Sequence, residues 1–162
     1  MIELRPARQT DAPAMVEVQN AIYRAGLRAS PVDDALVLER YLDATYRVAC
    51  TVAEEEGQVL GFQSLIRPRP DYPYEVPEGW GVIGTHIHPS AGRQGIGRRL
   101  IARSLSAAKA AGLRHIDASI AADNAPALAY YSAMGFVPYR QGGDVIPHRF
   151  DLESPRLPPD GA

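Results

Sequence analysis

The chain has 162 residues, 46% of them hydrophobic and 22% charged, which is enough for one domain with a core of its own and no need of staples. Its formal net charge of −2 gives no electrostatic basis for a nucleic-acid partner. With Cys50 as its one cysteine it can form no intrachain disulfide, and no apolar run approaches the ~20 residues of a bilayer span, so a cytoplasmic chain with no membrane partner is expected.

The first residues carry no basic segment followed by an apolar run, so no secretory leader is expected. Ile2 and Leu4 alternate with Glu3 and Arg5, which predicts a short strand with one buried face. Thr10 and Asp11 offer a helix cap and Pro13 suits a first turn. Met15, Val18 and Ile22 follow at helical spacing, up to a stop at Gly26. A second helix is expected over residues 33–42. Residues 46–53 and 58–66, rich in β-branched and aromatic types, read as a hairpin joined by Glu54-Glu55-Glu56-Gly57. Consecutive carboxylates on a turn do not converge, and no His or Cys accompanies them, so a solvated tip is expected there and not a metal site. Cys50 lies inside the first of these strands, where a free cysteine acts as a small buried apolar residue.

Residues 67–79 hold four prolines and two tyrosines. They form a long irregular loop, either functional or a surface excursion stiffened by proline. A central strand over 80–89 follows, then a helix over 95–111 with the apolar stripe Ile96, Leu100, Ile101, Leu105 and Ala108, closed by Gly112. Residues 113–120 read as another strand. Asn124-Ala125-Pro126 opens a helix with Leu128, Tyr131 and Met134 on one side, and Gly135 ends it. Short strands are expected at 136–139 and 147–152. Residues 154–162 contain three prolines and a glycine and are expected to be a disordered tail, leaving 1–153 as a single mixed α/β domain.

The segment Pro89-Ser90-Ala91-Gly92-Arg93-Gln94-Gly95-Ile96-Gly97-Arg98-Arg99 places a glycine-rich turn between a strand and a long helix. Gly92, Gly95 and Gly97 permit close backbone approach and positive φ. The free N–H groups of the helix start, with the helix dipole, make a site for phosphate. The alternative is a tight strand-to-helix turn with no ligand. The segment is not a Walker A loop, since Arg98-Arg99 stands where Lys-Ser/Thr is required, and its glycine spacing is not that of a dinucleotide fingerprint.

A strand ending in Ile87-His88-Pro89, then this loop, then a long helix resembles the acetyl-CoA signature of the GNAT (GCN5-related N-acetyltransferase) family, whose loop reads Arg/Gln-x-x-Gly-x-Gly/Ala. Gly95 and Gly97 match its two small positions, Arg93 and Gln94 fill the free ones, and Gly92 departs from the usual Arg or Gln. A second segment is similar to the family's Asn-x-x-Ala-x-x-x-Tyr followed by Gly-Phe, matched here by Asn124, Ala127, Tyr131, Gly135 and Phe136. The resemblance spans nearly the whole chain and implies a GNAT-like fold, with a mixed sheet of six to seven strands flanked by about four helices. It further implies acetyl-CoA as co-substrate, no metal, and a primary-amine acceptor on a small molecule or peptide. Residues Ile87, His88, Gly92, Arg93, Gln94, Gly95, Ile96, Gly97, Arg98, Asn124 and Tyr131 would contact the coenzyme. In the family the Asn touches the pantetheine arm, the backbone amides of the loop hold the pyrophosphate, and the Tyr is the general acid. Dimers are frequent there, which leaves a homodimer open.

Acetylating an amine requires removal of a proton from an ammonium of pKa ~10, donors for an oxyanion, and a proton for the departing thiolate. Tyr131 suits the last task, and by resemblance the backbone N–H of Ile87 bonds the acetyl carbonyl. Many family members place a Glu on the central strand as base. Residues 80–88 carry no carboxylate, so His86, which titrates near neutrality and shares a face with His88 by alternation, is the leading candidate, with Glu78 or a water as alternatives. Arg67 and Arg69 either bind a carboxylate or are solvated loop charges. A non-catalytic acyl-CoA sensor is the alternative to an enzyme.

Overall fold

A computed structural model of the chain describes residues 1–152. The expected tail and the expected domain end at residue 153 lie outside the described residues. The elements are β1 (Glu3–Pro6), α1 (Ala12–Arg24), α2 (Asp34–Tyr41), β2 (Arg47–Glu55), β3 (Gln58–Ile66), β4 (Gly81–Ile87), α3 (Ile96–Ala110), β5 (His115–Ala121), α4 (Ala125–Ala133), β6 (Val137–Pro138) and β7 (Val145–Asp151). Local chemistry accounts for several boundaries. Pro13 sits in the first turn of α1, where its missing N–H costs nothing. The Asp33 carboxylate caps α2 by accepting from the Leu36 N–H at 2.9 Å.

The strands form one mixed sheet in the order β1-β2-β3-β4-β5-β7-β6, the α/β architecture expected. Neighbours are antiparallel except β4 and β5, which run parallel. Helices α1 and α2 cover one face, where Met15, Val18, Val37 and Tyr41 pack on Val52 and Phe62. Helices α3 and α4 cover the other, with Leu100, Ile101, Ile116, Tyr131 and Phe136 in its core. Burying a side chain the size of Met15 or Leu100 contributes ~1.5–3 kcal/mol.

Strand alternation then distributes the polar residues. Phe62 pairs with His86 and Gln63 with Thr85 across β3 and β4. Phe62 and His86 therefore face α1–α2, while Gln63 and Thr85 face α3–α4. On β5, Ile116, Ala118 and Ile120 enter the α3–α4 core, so Asp117 and Ser119 face the α1–α2 side. Cys50 is buried, as its apolar context predicts, and burial pushes its thiol up to about 12. No helix among the described residues is long and apolar enough to cross a membrane.

Candidate functional site

The parallel pair β4–β5 is joined only at its start, through Gly81 with Ile116 and Val82 with Asp117. Past Val82 the two strands part, leaving a wedge-shaped gap in the sheet. Its closed end is tight: a β-carbon on Gly81 would lie 2.8 Å from methyls of both Leu65 and Leu113. On its other edge β4 stays paired with β3 up to Ile87. The His88 N–H donates to the Leu60 carbonyl across that edge at 2.8 Å. By antiparallel alternation the Ile87 N–H, one residue earlier, faces the open gap.

At the wide end of the gap the chain makes a short turn of 3-10 helix, Pro89–Ala91, before α3. The His88 ring lies outside β4 and folds back onto this turn, its Nδ1 accepting from the Ser90 N–H at 3.1 Å. The expectation that His86 and His88 share a strand face fails here, because the strand ends between them. Arg93 and Gly95 both take left-handed backbone, with φ of 65° and 73°, which turns the chain into α3. Gly92 does not need its glycine for this, having φ −65° and only a distant carbonyl near its β-position. Helix α3 starts with no side-chain cap and no acid in its first turn. Its first N–H groups therefore take no side-chain cap, and Gly92, Arg93, Gln94, Gly95 and Arg98 around them are exposed. Ile96 turns inward as core. Gly97 has another duty: the Tyr130 hydroxyl donates to its carbonyl at 2.9 Å.

Tyr131 descends from α4 into the gap, fully packed, and its hydroxyl lies 2.8 Å from Thr85 Oγ1. Burial holds its phenol pKa above the ordinary tyrosine value. Gln63, wholly buried on β3, donates to Thr85 Oγ1 at 2.8 Å and to the Tyr130 hydroxyl at 3.1 Å, and accepts from Ser104 Oγ of α3 at 2.5 Å. One amide thus fixes both tyrosine hydroxyls and ties α3, β3, β4 and α4 together. Asn124 caps α4, its Oδ1 accepting from the Ala127 N–H at 3.2 Å, which leaves its amide nitrogen as the remaining donor.

His86 stands on the opposite face of the gap, its ring 4.8 Å from that of Phe62 and 5.6 Å from that of Tyr41. Burial, with nearby Arg28 and Arg40, drives its pKa down to about 3. This departs from the expected titration near neutrality: packing among aromatics favours the neutral imidazole and makes it a weaker proton acceptor. Glu78 is exposed ahead of β4, at the closed end of the gap. Arg69 is neither a free carboxylate binder nor a solvated charge. It donates to the Glu39 carbonyl at 2.8 Å, pairs with Glu39, Asp43 and Asp71, and lies 4.8 Å above the Tyr46 ring. It thereby staples the long loop to α2, and the loop walls an open cavity of about 560 Å³ with Tyr139 and Arg140.

Sequence reasoning passed over Gln63, Ser104, Thr85, Asp117 and Tyr139. The available signal was a polar residue on an otherwise apolar face, visible in Gln63 within β3 and Ser104 within the stripe of α3.

The model of the acetyltransferase (GNAT) family matches residues 12–136. No curated protein matches the chain at a significant level. Among solved structures, yncA from Salmonella typhimurium, solved with its cofactor acetyl-CoA, is 23% identical with a TM-score of 0.74, covering 99% of each chain. Ribosomal-protein-alanine N-acetyltransferase from Brucella melitensis is 24% identical with a TM-score of 0.73, covering 92% of this chain and 99% of its own. The paia N-acetyltransferase from Thermoplasma acidophilum, in complex with coenzyme A, is 15% identical with a TM-score of 0.73, covering 93% and 99%. These likenesses establish the fold.

Proposed function

The chain belongs to the acetyltransferase (GNAT) family, and from that premise we propose that it transfers an acetyl group directly from acetyl-CoA to a primary amine of a small molecule (amino-acid-like, polyamine or drug-like) or of a peptide. The observation that carries this reading is the position of the Tyr131 hydroxyl, 2.8 Å from Thr85 Oγ1 inside the β4–β5 gap. That gap leads to the uncapped start of α3, where a diphosphate has amides to bind.

In this reading the amides of residues 92–97 take the pyrophosphate, with the exposed Arg93 and Arg98 adding positive charge. The Asn124 amide nitrogen meets the pantetheine arm. The Ile87 N–H bonds the thioester carbonyl and carries the oxyanion of the tetrahedral intermediate. Tyr131 keeps its proton across the physiological range. It passes that proton to the departing thiolate and recovers one from the nitrogen of the collapsing intermediate. Cys50 takes no part, being buried with a thiol held at about 12, so transfer needs no covalent enzyme intermediate. His86 serves as an uncharged wall on the acceptor side.

The test is a coenzyme-A release assay with acetyl-CoA against amino acids, polyamines, aminoglycosides and peptides. Calorimetry comparing coenzyme A with ATP and NAD accompanies it. Turnover with one amine class and preference for coenzyme A are expected. Preference for either nucleotide would overturn the assignment.

A further inference from the structure

The proposed chemistry needs a proton acceptor for the incoming ammonium, and β4 is poor in them: the strand has no carboxylate, and His86, packed against the Phe62 and Tyr41 rings, is a weak acceptor. A carboxylate does stand on the neighbouring strand. Asp117 belongs to the last β4–β5 pair before the gap opens and is wholly buried on the α1–α2 face. Its Oδ1 accepts from the Ser119 hydroxyl at 3.0 Å, and its Oδ2 accepts from the Tyr139 hydroxyl. Ser119 lies two residues further along β5, on the same face, beside the unpaired part of the gap, and is partly exposed. The Tyr72 hydroxyl from the long loop stands against Ser119, within electrostatic range of both Asp117 and Tyr131. Tyr72 and Tyr139 both line the 560 Å³ cavity that opens to solvent. The three hydroxyls and one carboxylate thus run from the gap to the surface.

Resting on the acetyltransferase reading, we infer that Ser119, Asp117 and Tyr139 form a proton outlet that takes the proton released by the acceptor ammonium. The ammonium N–H bond breaks toward Ser119 Oγ as the serine proton moves to the Asp117 carboxylate. The neutral amine then attacks the thioester. For Asp117 to return to its charged form, the Tyr139 hydroxyl turns from Oδ2 toward water in the cavity and the carboxyl presents its proton to the phenol oxygen, which accepts it as it releases its own proton to that water. One proton leaves by this route, and the second amine proton compensates the one Tyr131 gives to sulfur, so the reaction balances as ammonium plus thioester to amide, thiol and one proton.

The surroundings of Asp117 suit a proton acceptor. Burial raises its pKa above the ordinary aspartate value, against the lowering effects of the Tyr139 and Ser119 hydroxyls, Arg140 and His148. Arg149, directly across on β7, pairs with Asp151, and Tyr72 faces the cluster from the loop. A carboxylate with a raised pKa holds a proton more readily than a surface one. Asp117 acts through its two hydroxyl partners and touches no substrate.

The experiment uses the full chain with the best amine from the acceptor screen, comparing wild type with Asp117→Asn, Ser119→Ala and Tyr139→Phe. Each is read by coenzyme-A calorimetry and by the pH profile of kcat/KM. Coenzyme-A affinity should stay within about 3-fold of wild type. Asp117→Asn should lower kcat/KM at neutral pH by about 100-fold, the usual worth of a general base. The deficit should shrink as pH rises toward the pKa of the amine, which then supplies its own neutral form. Ser119→Ala and Tyr139→Phe should show smaller losses with the same narrowing. A merely structural cluster would give losses parallel to wild type at all pH values, and that result overturns the inference. If Asp117→Asn fails to fold, the two hydroxyl variants decide alone, and unchanged profiles in both overturn it. Wild type that binds coenzyme A but turns over no amine overturns the transfer reading and this one with it. Normal turnover unaffected by the substitutions removes only the outlet.

Discussion

Gly97 and Tyr130 occupy complementary space: a β-carbon built on Gly97 would sit 2.6 Å from Tyr130 Cε2, and the tyrosine hydroxyl caps the Gly97 carbonyl at 2.9 Å. The last of the three loop glycines is therefore required by a protein contact, and through it the turn before α3 is locked to the helix that bears Tyr131.

Gly97→Ala tests this lock. Alanine favours a helix over glycine by about 1 kcal/mol, while forcing a methyl into a filled site costs ~1–3 kcal/mol. The Tyr130 ring is held by Gln63 and by Gly97 itself and has little freedom to yield. We expect a net loss of up to about 2 kcal/mol by urea denaturation. In a Tyr130→Ala background the same substitution should become neutral or stabilising, since the obstacle is gone. Additive effects of the two substitutions would show that the ring and the glycine are independent.

Tyr131→Phe should separate chemistry from binding. Removing the hydroxyl leaves the ring packing against Phe136 in place, so stability and coenzyme affinity should change little. Loss of a proton donor at the leaving group should cost about 100-fold in kcat. Because burial raises the phenol pKa, wild-type activity should show no alkaline fall assignable to this group below about pH 10. Thr85→Val should give a milder drop of about 10-fold, as it removes only the partner that aims the hydroxyl. Undiminished turnover in Tyr131→Phe would take the phenol out of the mechanism.

Much of this was legible in the residues because the signals were local. The Asn124 start of α4, the 3.6-residue stripe of α3 and the β-branched runs of the β2–β3 hairpin all depend on neighbours in the chain, and their elements lie within a few residues of the expected bounds. The spacing to Gly135-Phe136 that singles out Tyr131 over Tyr130 by resemblance is a local signal of the same kind. The cap expected of Thr10 and Asp11 does not form, because the Asp11 carboxylate is taken by Arg5 and the Arg8 N–H. What stayed hidden depends on tertiary packing. His86 has an unremarkable sequence context, and only tertiary burial against Tyr41 and Phe62, with Arg28 and Arg40 nearby, lowers its pKa. Asp117 sits in a strand, and its hydrogen-bond partner Tyr139 is 22 residues away. The role of Arg69 needed Glu39 and Asp43, which sequence spacing does not bring near.

Asp11 gives the fold an acid-sensitive joint. Its carboxylate accepts from Arg5 at 2.8 Å through both oxygens and from the Arg8 N–H at 2.7 Å, with Glu54 also on Arg5. The Arg5 hydrogen bonds hold its pKa below the ordinary carboxylate range. A depressed folded pKa means that the stabilisation is in full force above about pH 4, the unfolded aspartate value, and is lost as pH falls through the lower folded value. Asp11→Asn should cost ~1.5–3 kcal/mol at neutral pH, as expected for hydrogen bonds to a charged group. The variant and wild-type stability curves should converge below about pH 3. Parallel curves across that range would mean that Asp11 titrates alike in both states.

Arg69 offers a way to loosen the long loop from a distance. Its guanidinium reaches a backbone carbonyl, three carboxylates and an aromatic face, holding the segment that carries Tyr72 against α2 and the turn that follows it. None of these contacts touches the α3 loop, so Arg69→Ala should leave the KM for acetyl-CoA unchanged. If the loop walls the acceptor pocket, the acceptor KM should rise about 5- to 10-fold, equivalent to ~1–1.4 kcal/mol. Lysine cannot reproduce the planar fork across several acceptors, so Arg69→Lys should recover only part of the loss. Limited proteolysis should cut within residues 67–79 faster in the alanine variant, as expected of a released surface loop. A rise shared equally by both KM values would point to general destabilisation of the sheet. An unchanged acceptor KM beside faster cleavage would mean that the loop is held in place for some purpose other than binding the amine.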